Sequence, residues 1–281
     1  MRSYTRAFVA FGLGILIAMA LLHLPALSAG SRASLAFVHL TLFGWPAAII
    51  FAINYHTVPY FAGADFPSER SIWLHFWLFV VGLLVVVAGL ARLGQQWLVI
   101  GLAIEFAASV VFLANIVWLF ARGPKRAEGP PEASASQHDL DRAGTLATIF
   151  SGLLLPLSLL LLLLYETHTI GPLWQLAAEH LATLGWIVMM IVGVSYHILP
   201  RFSGREAHSG RWPLGQLALY SAGTALLVLG LGLAHAVMFQ AGAVLVTTAL
   251  VLLAWIVWPT LKVRRDSESE PAAATTGSAG R

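Results

Sequence analysis

The chain has 281 residues, of which 58% are hydrophobic and 10% charged, with a formal net charge of +3 and no cysteine. A soluble domain of this length needs a charged surface that 16 basic and 13 acidic side chains cannot supply, so the composition excludes one and implies a polytopic membrane protein. The missing thiols also exclude c-type haem attachment, thiolate iron–sulfur clusters, disulfides and cysteine nucleophiles, leaving ten histidines to carry metal or proton chemistry.

In chain order, apolar runs near the roughly 20 residues that a helix needs to cross a bilayer occur at 7–27, 33–57, 71–91, 96–120, 145–166, 174–199, 213–234 and 239–260. The first is long for a signal-peptide core and has no small-residue cleavage site, so it reads as a retained signal anchor. The fold class expected is all-α, a polytopic membrane helical bundle of about eight transmembrane helices in two parallel four-helix repeats. The repeats occupy 1–121 and 144–261, with a cytoplasmic linker at 122–143 and a disordered cytoplasmic tail at 262–281. Loop by loop, 14 of the 16 Lys and Arg fall on one side; only Arg32 and Arg92 fall on the other. Basic residues resist translocation, so both termini are expected in the cytoplasm of a bacterial-type inner membrane.

The second and sixth spans carry a repeat. HLTLFGWPAAIIFAINYHTVPYFAG (39–63) aligns without a gap on HLATLGWIVMMIVGVSYHILPRFSG (180–204), at an offset of 141 residues and with ten of 25 positions identical. Four helices per half give both copies the same orientation and relate them by an axis along the membrane normal. His39 and His56 lie 17 residues apart, about 25 Å along a helix, and cannot share a metal. His39 and His180 therefore form an outer layer, and His56 and His197 an inner one. By the same count His235 ends a helix on the outer side, and His75 begins one on the inner side.

An interfacial histidine is often no more than an amphipathic side chain bonded to a carbonyl. Within hydrocarbon, however, an imidazole costs free energy unless its ring nitrogens are satisfied, which makes the repeated pair His39 and His180 functional candidates. Imidazole suits haem iron, copper and zinc alike. Gly44 and Gly185, five positions on, leave room for a flat macrocycle, and Arg32 and Arg92 lie on the same layer as counterions for propionates. His56 and His197 are candidates for a second, inner site, or for anchoring helix ends or managing interfacial protons. Glu105, about ten residues into the fourth span, is either part of a proton route or a neutral carboxyl bonded to a neighbouring helix. Asn54 and Asn115 read as interhelical hydrogen-bonding residues.

The stretch NYHTVPYFAGADFPSERSIWLHFWLF (54–79) resembles the end of the second helix, the loop and the start of the third in haem–copper oxidase subunit I. The matching positions are Asn54, Val58, Pro59, Gly63, Ala64, Asp65, Phe66, Pro67 and Trp73. The second half resembles the sixth helix of cbb-type oxidases and nitric oxide reductases, and the His-x-x-x-x-Gly-Phe/Trp pattern is also similar to the NnrS family. The resemblance implies haem b with His39 as an axial ligand. It also implies an active-site metal at His180, with His235 near an outer-side histidine pair and copper as a secondary expectation. The oxidases carry twelve helices, and their tenth holds ligands of both haems, so the resemblance implies ancestry and haem binding rather than complete oxygen reduction by this chain.

The leading expectation is thus a haem-b-binding membrane protein in electron transport or in nitric oxide or oxygen handling. Whether it is an enzyme is left open. The alternatives are a cofactor-free channel or transporter that uses the pseudo-symmetric histidines and Glu105, and a membrane subunit that docks a respiratory protein partner.

Overall fold

A computed structural model of the chain describes residues 1–28, 31–66, 68–121 and 135–261. The described residues are helical, without strands, and eight of the helices are long and apolar enough to cross a membrane. In the first half these are α1 (Ser3–Ser28), α2 (Ser31–His39) continued into α3 (Trp45–Ala62), α4 (Glu69–Ala88) and α5 (Gln95–Ala121). In the second half they are α6 (Ala135–Glu166), α7 (Leu173–His180) continued into α8 (Met189–Ser203), α9 (Trp212–Gly232) and α10 (Ala236–Leu261). Wider π-helical stretches at Leu40–Gly44, Gly89–Leu93 and Leu181–Val188 interrupt the runs.

Local chemistry sets the helix ends. Pro46 and Pro213 sit in the first turns of α3 and α9, where a missing N–H costs nothing. The Ser68 hydroxyl accepts from the Ser71 amide and caps α4. Gly63 and Gly204 close α3 and α8 at φ of 59° and 62°, a left-handed conformation that a Cβ would strain.

One boundary differs from expectation. The linker predicted to run to 143 gives way to helix at Ala135, nine residues early. Its polar residues have partners that composition does not reveal: Gln137 donates to Asp141 and to the Tyr196 carbonyl, and Asp141 is paired on α8. Residues 122–134 of the linker, and the whole tail at 262–281, lie outside the described residues.

Close helix contacts recur at the offset of 141 seen in the sequence. A Cβ at Gly82 would stand 2.8 Å from Glu105 Cγ, and one at Gly101 2.6 Å from Val86 N, so α4 and α5 touch almost backbone to backbone. In α9 and α10, Gly223 meets Val246 N at 2.8 Å, and Gly242 meets Leu227 N. Each position of the second set is 141 residues beyond its counterpart in the first. The halves join along α5 and α6, and one apolar core crosses the joint from Phe51 and Phe112 to Leu155, Leu159 and Trp186.

Many large apolar side chains lie on the outer surface. On α10, Val237, Val244, Val251 and Trp258 are 69, 64, 66 and 60% exposed, in a stripe with a seven-residue spacing. A continuous stripe of this kind is costly in water and suited to hydrocarbon.

Candidate functional site

His39 ends α2, and the chain then widens into the π-helical turn Leu40–Gly44; His180 ends α7, and Leu181–Val188 follows in the same way. Such turns sacrifice regular backbone hydrogen bonding and concentrate at functional sites. Both repeated histidines therefore stand where the helix departs from its regular form.

At the first of these turns the His39 imidazole, 7% exposed, meets the carboxyl group of Glu105 on α5, which is 3% exposed. Its Nε2 lies 3.1 and 3.0 Å from the two carboxyl oxygens. Gly82 makes this possible, because any side chain on α4 at that level would run into Glu105. One proton shared between imidazole and carboxyl lets the pair be neutral on both sides or charged on both, and the mutual attraction offsets part of the desolvation of the charged form. Phe43 covers the imidazole at a ring separation of 4.8 Å.

Glu105 and His39 stand between two small cavities. One, of about 40 Å³, is lined by His39 together with Glu166, Gln175 and Glu179 near the end of the bundle, and it has room for two or three waters. The other, of about 20 Å³, lies deeper against Glu105, Ser109 and Trp186 and has room for one. Trp186 lines this largely apolar cavity, and its indole N–H is buried without a hydrogen-bond partner.

His180 is held differently. Its Nδ1 is 2.8 Å from the Leu176 carbonyl one turn back, which fixes the ring and leaves Nε2 for another group. Glu179 lies within electrostatic range of both His180 and His39, so the two histidines share an acidic neighbour.

The remaining predicted residues are scattered. His56 is exposed on α3, beside a groove that it lines with Arg2 and Tyr60. His197 is buried, its Nδ1 2.9 Å from Asp141 and its ring stacked 4.6 Å from Phe61. His235 is exposed before α10, where its Nδ1 accepts from the Met238 amide. Arg92 is exposed, and the side chain of Arg32 lies outside the described residues. Among the described residues no group of three or more His, Asp or Glu is suited to a metal ion, so His39, His180 and His235 do not form one.

Two polar constellations went unread in the sequence. Asp141 accepts two bonds from Arg201, at 2.8 and 2.7 Å, besides its contact with His197. Asp141→Asn is expected to lower the stability of the detergent-solubilised protein by about 2 kcal/mol, read from its unfolding midpoint, because it strips the charge from a partly buried network. The other constellation joins Ser71, Asn115, Tyr55 and His75. Carrying the offset of 141 past the aligned segment pairs Tyr55 and His75 with Tyr196 and Gln216, the one signal that pointed to it. Asn115 and Asn54 do bridge helices as expected, Asn54 by donating to the Met190 sulfur at 3.4 Å.

A haem ligated by His39 requires a free Nε2 and a slot for the macrocycle. The Nε2 is engaged by Glu105, and the 40 Å³ cavity is far below the roughly 300 Å³ or more of ligand pockets. His39 in this arrangement does not fit a haem between the helices; His180 is free of that obstacle. No protein-family model and no curated protein matches the chain.

Proposed function

We propose that this chain is a multi-pass protein of the bacterial-type inner membrane, built from two parallel four-helix repeats with both termini in the cytoplasm, that moves protons or a small proton-coupled solute through the His39–Glu105 pair. The observation that carries the reading is a buried imidazole–carboxyl pair with a small cavity against each partner. A carboxyl group deep in a membrane is expensive to charge and is kept where a proton must be held and released. The outer cavity sets the pair beside Glu166 and Glu179, and the inner one borders Glu105 and Ser109. The pair exchanges a proton with whichever cavity is hydrated, so alternate hydration gives vectorial transfer. The test is proton flux into proteoliposomes under an imposed pH gradient. Glu105→Gln preserves shape and hydrogen bonding but cannot ionise, and it is expected to lower flux about tenfold or more; unchanged flux would refute the proposal.

A second reading has its own support. The anchored Nδ1 of His180 leaves Nε2 as a ligand for haem b or copper on the open side of α7, a site suited to electron transfer or to nitric oxide or oxygen handling. It predicts a pyridine haemochrome signal that His180→Ala abolishes and His39→Ala retains. Loss in neither variant, or a colourless protein from a haem-sufficient host, removes this reading.

A further inference from the structure

The far end of the bundle from His39 holds another buried imidazole with a carboxylate partner, which the proton reading above leaves unused. His197 and Asp141 both come from the second half, as His39 and Glu105 both come from the first. The repeat counterparts of the two histidines are held otherwise. His180 is bonded to a backbone carbonyl, and His56 is exposed on α3.

The hydrogen bonds fix the tautomer of His197. Asp141 accepts from Arg201 at 2.8 and 2.7 Å and, as a carboxylate, has no proton to give, so His197 Nδ1 donates to it at 2.9 Å. Nε2 keeps a lone pair. It lies against Gly144 of α6, where a Cβ would stand 2.8 Å away, and the ring lines a cavity of about 20 Å³ with room for one water.

The polar groups around that cavity have their protons committed elsewhere. The Thr57 and Thr148 hydroxyls donate to the Ile53 and Gly144 carbonyls, at 2.8 and 2.9 Å. The Asn54 amide donates to the Ile50 carbonyl and the Met190 sulfur, and Asn54 Oδ1 is buried without a partner. An orphaned buried acceptor costs free energy, so the site is built for a donor. A single water fits it, giving one hydrogen to Asn54 Oδ1 and the other to His197 Nε2.

Thr57 and Phe61 line this cavity and also the groove of about 410 Å³ that holds His56, Arg2 and Tyr60. The two side chains are therefore the partition between an open groove and the cavity behind it. Phe61 stacks on the His197 ring at 4.6 Å, with the Arg201 guanidinium 5.2 Å from the Phe61 centroid.

We infer that His197 is a second proton-binding site, served through this partition by a water in the cavity. The inference rests on the proton reading above and puts a second station at the other end of the same route. A proton arriving on the water passes to Nε2 and gives an imidazolium, while the Nδ1–H stays on Asp141; release reverses the step. The added charge is supported by the Asp141 carboxylate and the Phe61 face, and Asp141 and Arg201 are each 24% exposed, so solvent screens the cluster. These two are the charged groups bonded around the ring. On α6, His138 and Arg142 are exposed and Asp139 accepts from the Gly210 amide. Of the other neighbours, α10 has no acidic or basic residue, α3 has only His56, and α5 has only Glu105, about 22 Å along the helix from Phe120 at the cavity.

The experiment is histidine C2–H exchange in deuterated buffer, read by mass spectrometry of the full-length protein in detergent across a pH series. It reports the protonation of each imidazole and its access to solvent. His197 should follow a sigmoid in pH and exchange about tenfold or more faster than His75, whose Nε2 is buried without a partner among the rings of Phe8, Phe51 and Phe112. Asn54→Leu keeps the volume but removes the open acceptor, so it should slow His197 about tenfold and leave the exposed His56 unchanged. Circular dichroism and gel filtration establish that each variant is folded. Exchange at His197 as slow as at His75, no sigmoid, or unaltered exchange in Asn54→Leu would overturn the inference. In proteoliposomes His197→Gln, whose amide can still donate to Asp141, should lower proton flux about tenfold. Flux that falls in Glu105→Gln but not in His197→Gln would reject the second station and leave the first standing. If the unaltered protein carries no flux, the proton reading falls, and exchange at His197 still decides whether it binds protons from solvent.

Discussion

Replacing His39 by leucine is expected to destabilise the protein by about 3 kcal/mol, because it leaves the Glu105 carboxyl buried without a partner. Glu105→Leu should cost about 2 kcal/mol by orphaning the imidazole. The double replacement should be milder than either single one, since two apolar side chains of similar volume remove both desolvation penalties together. The sign of the coupling is the informative quantity. Additive effects in the unfolding midpoints of the four proteins in detergent would mean that the 3.0 and 3.1 Å contacts carry no interaction energy. All three variants should lose proton flux, although the double variant is the most stable of them. Stability and activity therefore part company at this site, as expected of a pair kept for its chemistry.

How much of this was legible beforehand depends on the kind of information required. The eight long helices follow from hydrophobic run length alone, which is a local property, and their ends fall within a few residues of the expected ones apart from α6. Glu105 was visible as a costly residue, and so was His39. Their pairing was not, because they are 66 residues apart and meet only through the packing of α2 on the neighbouring helices. The π-helical turns have no propensity signature; Gly44 and Gly185 suggested space for a macrocycle, and the chain uses that neighbourhood for tight helix contact instead, with Leu154 Cδ1 2.9 Å from a Cβ at Gly185. Asp141 read as linker because charge is a reliable sign of solvent only when no partner is present, and Arg201 is that partner.

The glycine contacts set the second large effect. Gly242→Val is expected to destabilise the protein by about 3 kcal/mol or more, because even a Cβ at that position meets the backbone of Leu227 and the Gly223 carbonyl, neither of which can rotate away. Gly14→Val, on the exposed face of α1 with nothing within 4 Å of a Cβ, should change stability by no more than about 0.5 kcal/mol and is the matched control. Gly101 is the counterpart of Gly242 at the offset of 141, and its Cβ would lie 2.6 Å from Val86 N. Gly101→Val should therefore destabilise comparably, but with a consequence that Gly242→Val lacks. Forcing α4 from α5 withdraws the wall that Gly82 provides behind Glu105, so Gly101→Val should also impair proton flux. In Gly242→Val any protein that remains folded should keep it. Equal flux per folded molecule in the two variants would mean that the α4–α5 contact supports the fold but not the placement of Glu105.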